Sequence, residues 1–181
     1  ALNVRELGVD AYITTCHKWL ASPAGTGLLY VRRELQDRIW PNIVTENWWA
    51  YSDAWKYDRL SRRPWPVVAA LEDALDFQLA IGKQRIEQRV RNLSDYFRRE
   101  AVKIPHVRLY TSQDPKLSGG MTSLQLDNVP SVRLREYLRQ RFDVYVAART
   151  KGERYPADPH GVDGIRISTH FYNTFEQLDK V

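Results

Sequence analysis

Cysteine and methionine are nearly missing from this 181-residue chain, at one residue each. A lone Cys16 excludes an internal disulfide and any cysteine-built metal site. A reducing compartment, the cytoplasm, is the expected setting. No apolar run approaches the ~18 residues that a membrane helix needs, so no membrane partner is expected. Arg5, Glu6, Asp10 and Lys18 fall within the first twenty residues, which therefore do not read as a secretory signal. His17, His106, His160 and His170 show neither HxxxH nor HxH spacing, so no metal site is expected. Internal repeats and low-complexity tracts are also missing. What is present is a 43% apolar composition, enough for a sizeable core in one or two domains. The net charge of +5 favours anionic ligands only weakly. Six tryptophans and ten tyrosines are many for this length and point to a large core or a large interface.

Along the chain, Ala1 to Leu7 reads as a short lead-in stopped by Gly8. Val9 to Thr14 is apolar and β-branched, which predicts a short buried strand. Pro23, Gly25 and Gly27 make the next stretch irregular, and Leu28 to Val31 predicts a second strand. Glu34 to Ile39 fits a brief helix ended at Trp40-Pro41. Residues 43 to 66 are irregular and aromatic, with Trp48, Trp49, Trp55 and Trp65 among polar neighbours. A loop of that kind packs on a partner or lines a cleft, and an interface is the favoured role. Apolar spacing predicts helices over 67–81 and from Ile86 through Phe97, broken at Gly82. The remainder predicts strands at Val107–Tyr110, Met121–Leu126, Val144–Ala147 and Ile165–Ser168. Ser131 is the expected cap of an intervening helix, and Asn173 with Glu176 the expected start of the last one. The order β-β-α-β-β-α describes a small α+β lobe. The two strands within residues 1–31 have no sheet of their own to join, and two strands alone are marginal. The chain is therefore expected to be the C-terminal part of a larger organisation, with an N-terminal half supplying further strands.

Thr15-Cys16-His17-Lys18-Trp19-Leu20 holds the residue best suited to chemistry. A lysine directly after a buried strand loses solvation, which disfavours its charged form. Such an amine can hold an aldehyde as a Schiff base, with Thr15 and His17 donating to a phosphate. On spacing alone, a snorkelling lysine at a strand end is the commoner case.

The segment DAYITTCHKWLASPAGTGLLYVRRE resembles the lysine segment of class V aminotransferases, a branch of the fold-type I enzymes that use pyridoxal 5'-phosphate (PLP). The branch includes isopenicillin N epimerase-like and cysteine desulfurase-like proteins. The matching residues are Asp10, Thr15, Cys16, His17, Lys18, Pro23, Gly25 and Gly27, followed by the strand 28–31. GIRISTHFYNTFEQLDKV is similar to the family's closing strand, turn and helix. KYDRLSRRPWPVVAALEDALDF is similar to the approach to its inter-domain helix. The resemblance implies an α/β fold. Residues 1–66 would end the large parallel-sheet PLP-binding domain, 67–97 would form a helical linker, and 98–181 a small C-terminal α+β domain. It also implies that Lys18 carries the cofactor and then moves protons at the substrate's Cα. Thr15 and His17 would reach the phosphate. Arg166 would clamp the α-carboxylate of an amino-acid substrate, a planar group that suits a guanidinium fork. In this family phosphate contacts also come from the second subunit of a homodimer. Many members have Gly-Thr there, and this chain has Ser61-Arg62-Arg63, so Ser61 and Arg63 are the candidates.

Two departures bear on the reaction. Desulfurases of the nearest type carry a mobile cysteine a few residues after an arginine matching Arg149, whereas this chain runs Thr150-Lys151-Gly152-Glu153-Arg154-Tyr155. Cys16 adjoins the lysine and is expected to be a packing residue. The family's aspartate for the pyridine nitrogen, and the group stacked on the ring, would belong to the N-terminal half, so the isolated piece is expected to be inactive. Transamination, epimerisation and C–S lyase chemistry share the same Cα deprotonation and stay open. One alternative is a basic nucleic-acid-binding module built on the arginines of 85–99 and 133–141. Those arginines alternate with Glu87, Glu100 and Glu136, as on solvated helix faces, and no nucleic-acid partner is expected. A non-catalytic scaffold with the same fold is the other alternative. His17, Lys18 and Arg166 occurring together argue against it. His106 and His160 are expected to be solvated, and His170 to lie near the cleft without a role.

Overall fold

The computed structural model describes residues 2–59, 62–150 and 162–181. Ser61, His160 and the stretch 151–155 lie outside the described residues. The chain divides into two units, Ala1–Lys83 and Gln84–Val181.

In the first unit, helix α1 (Val4–Leu7) ends at Gly8, whose φ of 64° is the left-handed conformation that favours glycine. Strands β1 (Ala11–Thr15) and β2 (Gly27–Val31) pair antiparallel, with Thr15 opposite Gly27 and Ala11 opposite Val31. A Cβ at Gly27 would come within 3.1 Å of the Thr14 carbonyl oxygen, so the hairpin closes most easily with glycine there. Helix α2 (Arg33–Gln36) is a single turn, and two 3-10 turns at Trp48–Ala50 and Ala54–Tyr57 carry the aromatic segment. Trp40 packs on Trp48 at 5.0 Å between ring centroids, and Trp48 meets Trp49 edge-on at 6.4 Å. Helix α3 (Trp65–Ile81) has proline in its first turn and stops at Gly82, whose φ is 94°.

The expectation that the first two strands are buried is not met. Ile13 is 77% exposed, and Leu28 and Leu29 are nearly half exposed. Their apolar composition is that of a sheet interior. A two-stranded ribbon supplies neither flanking strands nor a covering layer. Helix α3 behaves alike, with Ala74 as its buried residue and Phe77 and Leu79 open.

The second unit has the core that the first lacks. Helix α4 (Lys83–Ala101) buries Val90, Leu93, Phe97 and Ala101, at steps of three, four and four, which is one helix face. Strands β3 (Val107–Leu109), β4 (Met121–Leu126), β5 (Ala147–Arg149) and β6 (Gly164–Ser168) form an antiparallel sheet in the order β3-β4-β6-β5. Helix α5 (Ser131–Phe142) connects β4 to β5, and α6 (Phe175–Leu178) follows β6. Leu124, Ile165 and Ile167 join Leu93, Phe97, Leu138 and Leu178 in the core. Full burial of a leucine such as Leu93, at 0% exposure, contributes about 1.5–3 kcal/mol. Helix α6 is fastened to α4 by the Tyr96 hydroxyl, which donates to Asp179 at 2.6 Å, and by Arg89, which donates to the Asn173 carbonyl at 2.8 Å.

Three local expectations need correction. Strand β5 begins at Ala147 rather than ending there. Ser131 is inside α5, and its hydroxyl donates to the Arg149 carbonyl instead of capping the helix. The last helix is capped by Thr174 with Gln177, a reciprocal capping box one residue later than the Asn173/Glu176 spacing.

At Gly164 a Cβ would lie 2.5 Å from the backbone oxygen of Leu124 on the adjacent strand. Gly164→Ala is expected to lower the stability of the second unit by about 1–3 kcal/mol, because backbone must move to admit the methyl group. Urea unfolding followed by circular dichroism checks this, and an unchanged midpoint would refute it.

Candidate functional site

The Lys18 loop is built from backbone pairing rather than side-chain packing. β1 ends at Thr15, and the chain turns through Cys16–Ser22 before returning to β2. The base of the turn is pinned twice, by the Cys16 amide donating to the Thr26 carbonyl and the Ser22 amide donating to the Cys16 carbonyl, both at 3.1 Å. The Ala21 amide donates to the Lys18 carbonyl at 3.2 Å, with Ala21 itself left-handed at a φ of 60°. Ser22 and Thr26 are buried and share a hydrogen bond of 3.0 Å between their hydroxyls. From α3, the Gln78 side-chain amide donates to the Trp19 carbonyl at 3.3 Å. These contacts hold the backbone on both sides of Lys18 and leave its side chain open.

Thr15, His17 and Lys18 are all exposed, and among the described residues none of their side chains has a hydrogen-bond partner. The desolvation expected at Lys18 is therefore not supplied by the residues described, for the same reason that β1 is open. Cys16 alternates to the other side of the loop and is buried at 1% exposure. Burial pushes its thiol pKa up. That is the behaviour of the packing residue expected from the sequence.

Arg63 lies in the same unit. Its guanidinium donates to Asp58 at 2.8 Å, while its second terminal nitrogen is buried and has no partner. It borders a cavity of about 580 Å³ lined also by Gly25, Thr26, Gly27, Trp55 and Val67. A buried guanidinium nitrogen without an acceptor suits an anionic oxygen. Together with an open amine at Lys18, these donors fit a phosphorylated aldehyde.

Arg166 belongs to the second unit, at the centre of β6. It is half-buried, and its Nε is buried without a hydrogen-bond partner. It faces a cavity of about 240 Å³ together with Arg149, Tyr110, Thr111 and Ser123. Arg149 is the residue that sequence reasoning did not assign to the site. Its strand was expected to end at Ala147, which left Arg149 off the sheet. His170 is buried, accepts from the Phe171 amide through Nδ1 at 3.0 Å, and stacks on Tyr172 at 4.3 Å. His106 is exposed, as expected.

The aminotransferase class-V family profile matches residues 1–181. The chain is a member of the class-V aminotransferase family. It is 29% identical over 202 residues to isopenicillin N epimerase of Streptomyces clavuligerus, an alignment covering 99% of this chain and 47% of that protein. The cystine C–S lyase C-DES, solved in complex with its product cysteine persulfide, superposes with a TM-score of 0.77 at 25% identity over 98% of this chain and 46% of its own. The apo cysteine desulfurase of Thermococcus onnurineus NA1 shares the fold, with a TM-score of 0.81 at 20% identity, 98% coverage of this chain and 46% of its own. The chain thus spans about half the length of the relatives it matches. These neighbours place the chain in the fold-type I class expected from the sequence, and the pairings among described strands are all antiparallel.

Membership favours an enzyme over a basic nucleic-acid-binding module. The arginine-rich helices agree with that in part. Arg91 pairs with Glu87 at 3.0 Å, and Arg98 is not solvated at all, being 3% exposed and bound to Asp95. No helix among the described residues is long and apolar enough to cross a membrane, and no metal-binding cluster occurs among them.

In the native protein, Cys16 is expected to react with Ellman's reagent at least about tenfold more slowly than a free thiol, since attack needs both a thiolate and a local opening of the loop. Denaturant should restore full reactivity. Labelling at the free-thiol rate without denaturant would contradict the burial.

Proposed function

We propose that this chain is the C-terminal portion of a PLP-dependent enzyme acting at the Cα of an amino-acid substrate, with Lys18 as the residue that carries the cofactor covalently. The observation that supports this most directly is the placement of Lys18. It is an open amine on a doubly pinned turn, flanked by Thr15 and His17, in a chain matched by the class-V profile from end to end.

When bound, the cofactor supplies an electron sink that stabilises negative charge at the substrate's Cα. The chain's own residues do the rest. Thr15 and His17 donate hydrogen bonds to phosphate oxygens. Arg63 presents its unpartnered nitrogen to the phosphate, and Ser61 stands with it in the sequence. In a homodimer these two would serve the neighbouring subunit's site. Once the substrate amine has taken its place, the released Lys18 amine is a general base for the Cα proton and returns it as the acid. The face on which the proton returns separates epimerisation from transamination and C–S lyase chemistry. Arg166 holds the α-carboxylate and so fixes which Cα bond lies in line with Lys18. The N-terminal half, matching the other part of the relatives' length, would cover β1 and β2 and take Lys18 out of bulk water. The isolated 181-residue piece is accordingly proposed to be inactive, and the cytoplasm remains the proposed location.

The test is made on the full-length protein reconstituted with PLP, reduced with borohydride and digested. Mass spectrometry is expected to find the pyridoxyl label on the peptide carrying Lys18, and Lys18→Ala is expected to lose both the label and the visible absorbance band. A label on another lysine, or a band that survives in Lys18→Ala, would overturn the proposal.

A further inference from the structure

Strand register decides which side chains share the open face of the small sheet. Ala147 pairs with Arg166 and Arg149 pairs with Gly164, so Arg149 and Arg166 lie on one face as diagonal neighbours. Diagonal positions are about 7–8 Å apart at the backbone, within reach for two long side chains. Ser123 pairs with Arg166 and joins the same face, and the Tyr110 amide donates to the Ser123 carbonyl at 2.9 Å. Leu124, Ile165 and Ile167 point the other way, into the core. Gly164 stands between the two arginines without a side chain, which keeps the space above it open.

The cavity of about 240 Å³ on this face therefore has two guanidiniums and the hydroxyls of Tyr110, Thr111 and Ser123. Among the described residues lining it there is no carboxylate. The nearest acid in sequence, Asp163, is engaged elsewhere, accepting from the Ser131 amide at 3.2 Å. The Tyr110 hydroxyl is bonded to Gln125. Arg149 is exposed, and its printed contact is a 3.4 Å bond to the neighbouring Ala148 carbonyl. Arg166 keeps a buried Nε without a partner. Two adjacent cations with no acid between them repel each other, and a ligand bearing two negative charges relieves that repulsion.

We infer that Arg149 is a specificity-determining residue that binds a second carboxylate, so that the substrate class is a short dicarboxylic amino acid. This rests on the proposed function, in which Arg166 takes the α-carboxylate. Arg149 then takes the acidic group of the side chain. One guanidinium per carboxylate balances the charge, and the diagonal offset separates the two groups.

The experiment uses the full-length protein and calorimetric titration with succinate and glutarate against propionate and butyrate, which lack an amine and bind without reacting. The native protein is expected to prefer the dicarboxylates by tenfold or more, roughly one charge-assisted contact. Arg149→Gln is expected to reduce dicarboxylate affinity about tenfold and leave monocarboxylate affinity within about twofold. Arg149→Lys keeps the charge and should keep a weaker preference, and Arg166→Lys should weaken both ligand sets. Circular dichroism on each variant checks folding, and the ratio in the native protein decides the matter without any variant. Equal affinities for both sets in the native protein would overturn the inference. So would a loss in Arg149→Gln that falls equally on both sets, which means that both arginines hold one carboxylate, and so would no loss at all. The borohydride label on Lys18 is read on the same preparation. A dicarboxylate preference without the label defeats the cofactor proposal alone, and a label without the preference defeats this inference alone.

Discussion

The alternation of side chains along β6 is the constraint on which the second unit depends. Ile165 and Ile167 turn to one side and close the core against α4 and α5. Arg166 is thereby forced to the other side, onto an open face beside Arg149 and Ser123. A slip of one residue would bury the guanidinium among leucines and expose both isoleucines. The core thus holds the site residue in place without touching it. Gly164 tightens the same arrangement, because β4 passes too close to admit a side chain there.

The first unit shows the opposite economy. Its hairpin is set by backbone pairing, and the turn that presents Lys18 is tied by main-chain bonds at Cys16, Ser22 and Thr26 together with Gln78 from α3. Little apolar surface is covered: Ile13, Leu28, Leu29, Phe77 and Leu79 all remain open. An order imposed by hydrogen bonds places a reactive amine well, but it does not dry it. Drying requires layers on both faces of β1 and β2, and residues 1–83 do not provide them.

Exposure separates the candidate residues chemically. Lys18, His17 and Thr15 are open and contiguous in sequence, so their proximity follows from the chain itself. Arg63 and Arg166 each keep a buried guanidinium nitrogen without an acceptor. Elsewhere in the chain, buried arginine is satisfied: Arg98 spends its donors on Asp95, Thr122 and the Gly119 carbonyl. That contrast distinguishes arginines that hold the fold together from arginines left with capacity for a ligand.

Helix periodicity, the glycine stops at Gly8 and Gly82, the β-β-α-β-β-α order of the second unit and the Thr15–Lys18 motif were all legible in the sequence. Each depends on neighbours a few residues apart, where propensity and patterning act. The burial of the first strands was misread, because apolar composition reports what a strand can bury and not what covers it. Strand β5 was placed about two residues early, and Thr174 rather than Asn173 caps the last helix, since such ends depend on particular hydrogen bonds. The residues of the chain determined by themselves which side chains can do chemistry. Only the tertiary structure decided that Arg149 stands beside Arg166, because two residues on separate strands become neighbours through the register of their hydrogen bonds, and a register is a property of the pair of strands rather than of either one.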